Sequence, residues 1–322
     1  MERELALEFV RVTEAAALAA ARWVGSGDKI AADNAATEAM RAMLDSVRIR
    51  GRVVIGEGEM DEAPMLYIGE TVGDGSGPEV DIGVDPLEGT NLVAKGLPDA
   101  LTVLCAAPKG QLLHAPDMYM QKIAVGPTGR GVVHLDAPIE ENLQALSVAK
   151  GKPISQLTVV MLDRPRHEQL LASVRRRGAR AWLIPDGDVA AAIATCLNET
   201  GIDMLVGSGG APEGVLAAAA IRALGGDMQA QLLPEDDAQR QRCLAMGLSD
   251  PAQLLTLDDL VGTQDVIFAA TGVTNGYLLR GVNFMGDGIA TTHSLVTRAE
   301  SGTVRQILAR HELSKKPHLV ML

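Results

Sequence analysis

The chain has very few aromatic residues, three Phe, three Tyr and two Trp among 322 positions, and only three cysteines, Cys105, Cys196 and Cys243. With so few rings, the interior falls to Ala, Val, Leu, Ile and Met, which suits helices packed closely on sheets; methionine in such places serves the core. The cysteines are widely spaced with no C-x-x-C pair, so no disulfide framework is expected, and they read as reduced core thiols. Basic residues are scarce too: 29 Lys and Arg against 41 Asp and Glu give a net charge of −12. No basic stripe is present to neutralise phosphates, which speaks against a nucleic-acid or membrane-surface role. No apolar run reaches the length of a membrane span, and the charged start Met1-Glu2-Arg3-Glu4-Leu5 is unlike a secretory signal, so a soluble cytoplasmic protein is expected.

What is present is a globular α/β pattern. Hydrophobic residues form 47% of the chain, enough for one large core or two moderate ones. Leu5, Phe9, Val12, Ala16 and Ala20 recur at helical spacing and predict an amphipathic helix near 3–24, ended by Gly25 and Gly27. A second helix is expected after Asp33, then strands at Val53-Val54-Ile55 and Val80 to Val84, with more near 101–107 and 121–125. This first half, residues 1–150, reads as α+β. From Leu157 strands at 157–162, 180–184 and 202–206 alternate with helices at 166–177, 187–196 and 213–224. That alternation predicts an α/β second half, residues 151–322, with a largely parallel sheet. Segment 127–156 is expected to join the halves.

The most informative stretch is Asp85-Pro86-Leu87-Glu88-Gly89-Thr90. Two carboxylates and a hydroxyl surround a turn after an apolar strand: Asp85 is expected to end that strand, Pro86 to bar further pairing, and Gly89 to permit close backbone approach. Oxygen ligands in this spacing suit a hard divalent cation. The loop Gly56-Glu57-Gly58-Glu59-Met60-Asp61-Glu62 alternates carboxylates, and like charges on one face repel unless a cation lies among them. Asp33 reads either as a helix cap or as a further ligand. In the second half, Pro185-Asp186-Gly187-Asp188 and Gly207-Ser208-Gly209-Gly210-Ala211-Pro212-Glu213-Gly214 each follow a strand and open a helix, where α/β folds bind ligands. The glycine-rich run can cradle a phosphate through backbone N–H groups. As a dinucleotide fingerprint it is poor, because Pro212 and Glu213 stand where compact neutral residues are needed, and Glu213 reads instead as another metal-directed carboxylate.

Asp85-Pro86-Leu87-Glu88-Gly89-Thr90 resembles the D-P-x-D-G-T signature of the lithium-sensitive, metal-dependent phosphatase superfamily, with Glu88 in place of the second Asp. That replacement, with Gly56 to Glu70, Ala115-Pro116-Asp117-Met118-Tyr119-Met120 and Gly209 to Gly214, makes the chain similar to class II fructose-1,6-bisphosphatases from about residue 3 to beyond 295. Asn91-Leu92-Val93-Ala94 and Asp163-Arg164-Pro165-Arg166-His167 are similar to the cyanobacterial-type enzymes that also accept sedoheptulose 1,7-bisphosphate. The resemblance implies a layered α-β-α-β-α sugar-phosphatase fold, a Mn²⁺ or Mg²⁺ cofactor and a homodimer or homotetramer. It places metal ligands on Asp33, Glu57, Asp85, Glu88 and Glu213. Substrate contacts fall on Glu88, Gly89, Thr90, Tyr119, Arg164, Pro165, Arg166, Asp186, Gly187, Asp188 and Gly210, with Arg164 and Arg166 suited to clamp a second phosphate.

The chemistry so implied is hydrolysis of the 1-phosphate of fructose 1,6-bisphosphate, a gluconeogenic step, by in-line attack of an activated water. Thr90 would orient that water and Asp33, Asp61 or Glu59 would accept its proton. His167 and His293 are set aside as acids, since a lone histidine is more often a structural donor. Two rivals stand beside this reading. An inositol- or nucleotide-phosphate hydrolase leaves the two arginines unexplained, and a non-catalytic sugar-phosphate sensor leaves Thr90 beside its carboxylates unexplained.

Overall fold

The computed structural model describes residues 1–58 and 65–316. The expected sites Glu59 and Asp61 lie outside the described residues. Helices and sheets mix throughout, as an α/β fold requires. The chain forms two compact units, Met1–Leu112 with Thr263–Leu322, and Leu113–Gly262. These are not the expected halves 1–150 and 151–322: the last strands return to the first sheet, and the segment expected as a joint belongs to the second unit.

The first unit begins with α1 (Leu5–Ala20) and α2 (Lys29–Leu44), followed by β1 (Arg50–Ile55), β2 (Thr71–Val72), β3 (Glu79–Glu88), α3 (Thr90–Lys95) and β4 (Leu101–Pro108). The second holds β5 (Tyr119–Val125), α4 (Ile139–Lys150), β6 (Thr158–Leu162), α5 (Glu168–Arg176), β7 (Arg180–Ile184), α6 (Val189–Ala194), β8 (Met204–Gly210), α7 (Ala211–Leu224), β9 (Asp227–Leu232), α8 (Asp237–Ala245) and α9 (Leu257–Leu260). Then β10 (Ile267–Gly272), β11 (Asn283–Gly286), β12 (Ile289–Arg298) and β13 (Thr303–Glu312) complete the first.

In the first unit the sheet runs β11-β12-β10-β4-β3-β1-β2, with β13 paired to β12. The expected apolar stripe of α1 is its buried face: Phe9, Val12, Ala16 and Ala20 are sealed from solvent and share a core with Met40 of α2, Ile82 of β3 and Ala269 of β10. Burying a ring the size of Phe9 stabilises by about 1.5–3 kcal/mol. The expectation for α2 needs correcting, because the helix starts at Lys29 and its N-cap is Asp28, whose side chain accepts the Ala31 N–H. Asp33 therefore stands inside the helix and is not its cap.

In the second unit the order is β7-β6-β8-β5-β9. The pairs β6–β7 and β6–β8 are parallel as expected, whereas β5 lies antiparallel between β8 and β9. The sheet is thus mixed where a largely parallel one was predicted. All three cysteines are free thiols. Burial pushes the Cys105 thiol up to about 12 and that of the half-buried Cys196 to about 11, which makes both poor nucleophiles. Among the described residues, no helix is long and apolar enough to cross a membrane.

Candidate functional site

In the first unit the acidic residues stand at the ends of two adjacent parallel strands. Ile55 of β1 partners Gly83 of β3, so Glu57 and Asp85 each lie two residues beyond a paired position. The loop after β1 folds back, with Glu57 N–H donating to the Leu66 carbonyl at 3.0 Å and Ile68 N–H to the Gly58 carbonyl at 2.9 Å.

The strand β3 does not stop at Asp85. It pairs with β4 through Asp85↔Val103 and again through Glu88↔Leu101, three steps against two, so Pro86 and Leu87 form a bulge. Pro86 is tolerated because the bulge, rather than a ladder position, takes its missing N–H. Asp85 Oδ1 accepts the Leu87 N–H at 3.0 Å and stabilises the turn. The result brings a carboxylate oxygen of Asp85 within 4.8 Å of one of Glu88. Gly89, at φ +88°, then turns the chain into α3, and Thr90 begins that helix, half-buried. Gly25 and Gly27, ahead of α2, donate to the carbonyls of Val93 and Ala94, each at 2.9 Å, which ties the start of the Asp33 helix to α3. Burial alone raises the pKa of the Asp33 carboxyl.

In the second unit the candidate residues gather at the C-terminal ends of β6, β7 and β8 and at the start of β5. Tyr119 pairs with Gly210 across β5 and β8. Arg166 lies over the Tyr119 ring, 4.6 Å from its centre, and donates to Ser208 Oγ at 2.9 Å and to the Ser208 carbonyl at 2.7 Å. Arg164 donates to the Pro185 carbonyl at 2.6 Å and faces Asp186 at 3.5 Å. Pro165 begins the short turn that carries Arg166, and Gly187, at φ +69°, stands between Asp186 and Asp188. His167 is fully employed: Nδ1 donates to the Leu162 carbonyl at 2.8 Å and Nε2 accepts the Ser208 N–H at 2.8 Å. It is a structural donor, as expected. His293 likewise accepts the Arg280 N–H at 3.0 Å.

Asp188 does not face the loop's exterior. It is buried and forms a salt bridge with Lys122 at 2.8 Å. Glu213, in the first turn of α7, has one oxygen, Oε2, that is buried without a hydrogen-bond partner among the described residues. Burial raises its pKa, against the lowering effect of the Lys122 charge. An orphaned carboxylate oxygen there, and the paired oxygens of Asp85 and Glu88 in the first unit, are hard donors that fit Mg²⁺ or Mn²⁺.

Sequence reasoning missed Lys122 and Ser208. A lysine beside the apolar run Ile123-Ala124-Val125 was a signal, since a strand facing a core keeps a charge only for a specific partner. Ser208 is the one side chain with a hydroxyl among Gly207, Gly209 and Gly210, and it anchors both Arg166 and His167.

The family model for bacterial fructose-1,6-bisphosphatase, glpX-encoded, matches residues 3–311. The chain is 50% identical over 329 aligned residues to fructose-1,6-bisphosphatase 1 class 2 of Escherichia coli (strain K12), covering 98% of this chain and 97% of that protein. Fructose-1,6-bisphosphatase class 2 of Escherichia coli O6:H1 and that of Shigella flexneri match with the same identity and coverage.

Proposed function

From the premise that this chain belongs to the bacterial class 2 fructose-1,6-bisphosphatase family, we propose how its residues divide the work. The chain is an enzyme, a metal-dependent phosphoric monoester hydrolase that converts fructose 1,6-bisphosphate to fructose 6-phosphate and phosphate in gluconeogenesis. The observation that carries the residue assignment is the bulge in β3, which holds Asp85 and Glu88 close together with Thr90 two residues on.

We assign Asp33, Glu57, Asp85, Glu88 and Glu213 as metal ligands, with Mn²⁺ or Mg²⁺ as the cation. When bound, the cation would neutralise phosphoryl charge and make water more acidic. The chain's own groups do the rest. Thr90 orients the attacking water through its hydroxyl, and Asp33 accepts the proton, with Glu59 and Asp61 as the alternatives. Glu88, Gly89, Tyr119, Gly210 and the 186–188 loop position the sugar, while Arg164 and Arg166 bind the distal phosphate. Tyr119 supports that role by preorganising Arg166 above its ring, which lowers the entropy lost on binding.

Phosphate release from fructose 1,6-bisphosphate, inositol 1-phosphate and 3′-phosphoadenosine 5′-phosphate tests the reading; preference for either of the last two over fructose 1,6-bisphosphate would overturn it. Sedoheptulose 1,7-bisphosphate belongs in the same panel, because Asn91 to Ala94 and Asp163 to His167 follow the dual-substrate pattern. We further propose a cytoplasmic location, which suits the three free thiols, and a homodimer or homotetramer, to be checked by light scattering.

A further inference from the structure

Lys122 is nearly sealed from solvent, its side chain only 1% exposed, and the Asp188 side chain is 7% exposed. Taking an ammonium out of water is costly unless its donors are all met. They are met here: Nζ contacts Asp188 Oδ2 at 2.8 Å and Oδ1 at 2.9 Å, and donates to the Gly210 carbonyl at 3.1 Å.

The neighbouring backbone is shaped around these charges. A Cβ at Gly209 would lie 2.3 Å from Asp188 Oδ2 and 3.2 Å from Lys122 Nζ, and one at Gly210 would lie 1.9 Å from Glu213 Oε2. A side chain at either glycine would have to displace the carboxylate or ammonium that now lies against the strand end. The end of the glycine-rich run lies against the protein's own side chains Asp188, Lys122 and Glu213. Gly210 is also the N-cap residue of α7, so the carbonyl held by Lys122 precedes Glu213 by one helical turn.

We propose that Lys122 is a positioning residue for the hydrolytic site: its ammonium holds Asp188 and the Gly210 carbonyl in place and thereby fixes the start of α7, from which Glu213 projects. The inference rests on the assignment of Asp188 and Glu213 above. Groups that hold a metal-binding carboxylate from behind typically change metal affinity or activity by roughly 10–100-fold when removed. A lysine that merely neutralised buried charge would affect stability alone.

The test compares wild-type protein with Lys122→Met and Lys122→Arg. Mn²⁺ affinity of the chelator-stripped proteins is measured by calorimetry, kcat and KM for fructose 1,6-bisphosphate by phosphate release, and folding by circular dichroism. We expect folded Lys122→Met to bind Mn²⁺ at least about tenfold more weakly and to raise KM by a similar factor. Should Lys122→Met fail to fold, Lys122→Arg keeps the charge while moving the donors, and the same two quantities are read. A folded variant with Mn²⁺ affinity and KM within twofold of wild type overturns the inference. A wild type that does not hydrolyse the bisphosphate overturns the proposed function instead, so the two failures are told apart.

Discussion

Arg166 lies over Tyr119, its guanidinium carbon 4.6 Å from the ring centre, while the Ser208 hydroxyl and carbonyl accept hydrogen bonds from the same guanidinium. A planar cation pinned on two sides is ready to accept a phosphate in one orientation. Arg166→Ala should therefore raise KM for fructose 1,6-bisphosphate by roughly 10–100-fold, the cost of a lost charged hydrogen bond. A small monophosphate should be affected little. Steady-state kinetics on both substrates decide the matter, and equal losses would make the loop structural.

Thr90 separates chemistry from binding. Thr90→Val keeps the β-branched shape at the start of α3 and leaves Asp85, Glu88 and Glu57 intact. We expect kcat to fall by about two to four orders of magnitude with KM changed far less, and Thr90→Ser to recover much of the rate. Near-normal kcat in Thr90→Val would leave a carboxylate as the sole activating group.

Metal dependence should be complete. Removal of divalent cations by chelation should abolish activity, and added Mn²⁺ or Mg²⁺ should restore it, because oxygen donors such as Asp85 and Glu88 placed within 4.8 Å repel one another without a cation. Full activity in exhaustively chelated protein would remove the ligand assignment.

A pH effect on stability arises away from the site. His311 is buried beside Glu14, with Nε2 donating to Thr292 Oγ1 at 2.7 Å and Thr292 Oγ1 donating to Glu14 Oε1 at 2.9 Å, while Lys316 donates to His311 Nδ1 at 2.8 Å. Burial, aided by the Lys316 charge, pulls the histidine down to about 4. The unfolded chain takes up this proton first, so stability present above the usual histidine value near 6.5 is lost as pH falls towards 4. Glu14, raised by burial, acts in the opposite sense because its folded form is protonated first. The net loss should be on the order of 1–2 kcal/mol between those limits. Urea unfolding at pH 7 and pH 5 should show a smaller pH effect in His311→Gln than in wild type; identical slopes would assign the effect elsewhere.

Much of the candidate site was legible because it is local. The order Asp85, Pro86, Glu88, Gly89, Thr90 contains its own turn, and the polar loops at 163–167, 185–188 and 208–213 follow strands whose alternation is visible in the residues themselves. Even there Pro86 alone predicts a stop, whereas a bulge lets β3 continue to Glu88. Bulges depend on the partner strand, here β4, which no stretch of β3 can announce.

Sequence by itself determined the apolar stripe of α1, the alternation of strands and helices from β6 to α7, and the carboxylates and arginines that are candidates for the chemistry. Tertiary structure alone decided that β5 lies antiparallel between β8 and β9, that β10, β12 and β13 return to the first sheet, and that Lys122 holds Asp188. The reason is physical. A two-residue alternation fixes which side of a strand is buried but carries no information on its neighbour, and a buried charge finds its partner only when distant segments close around it.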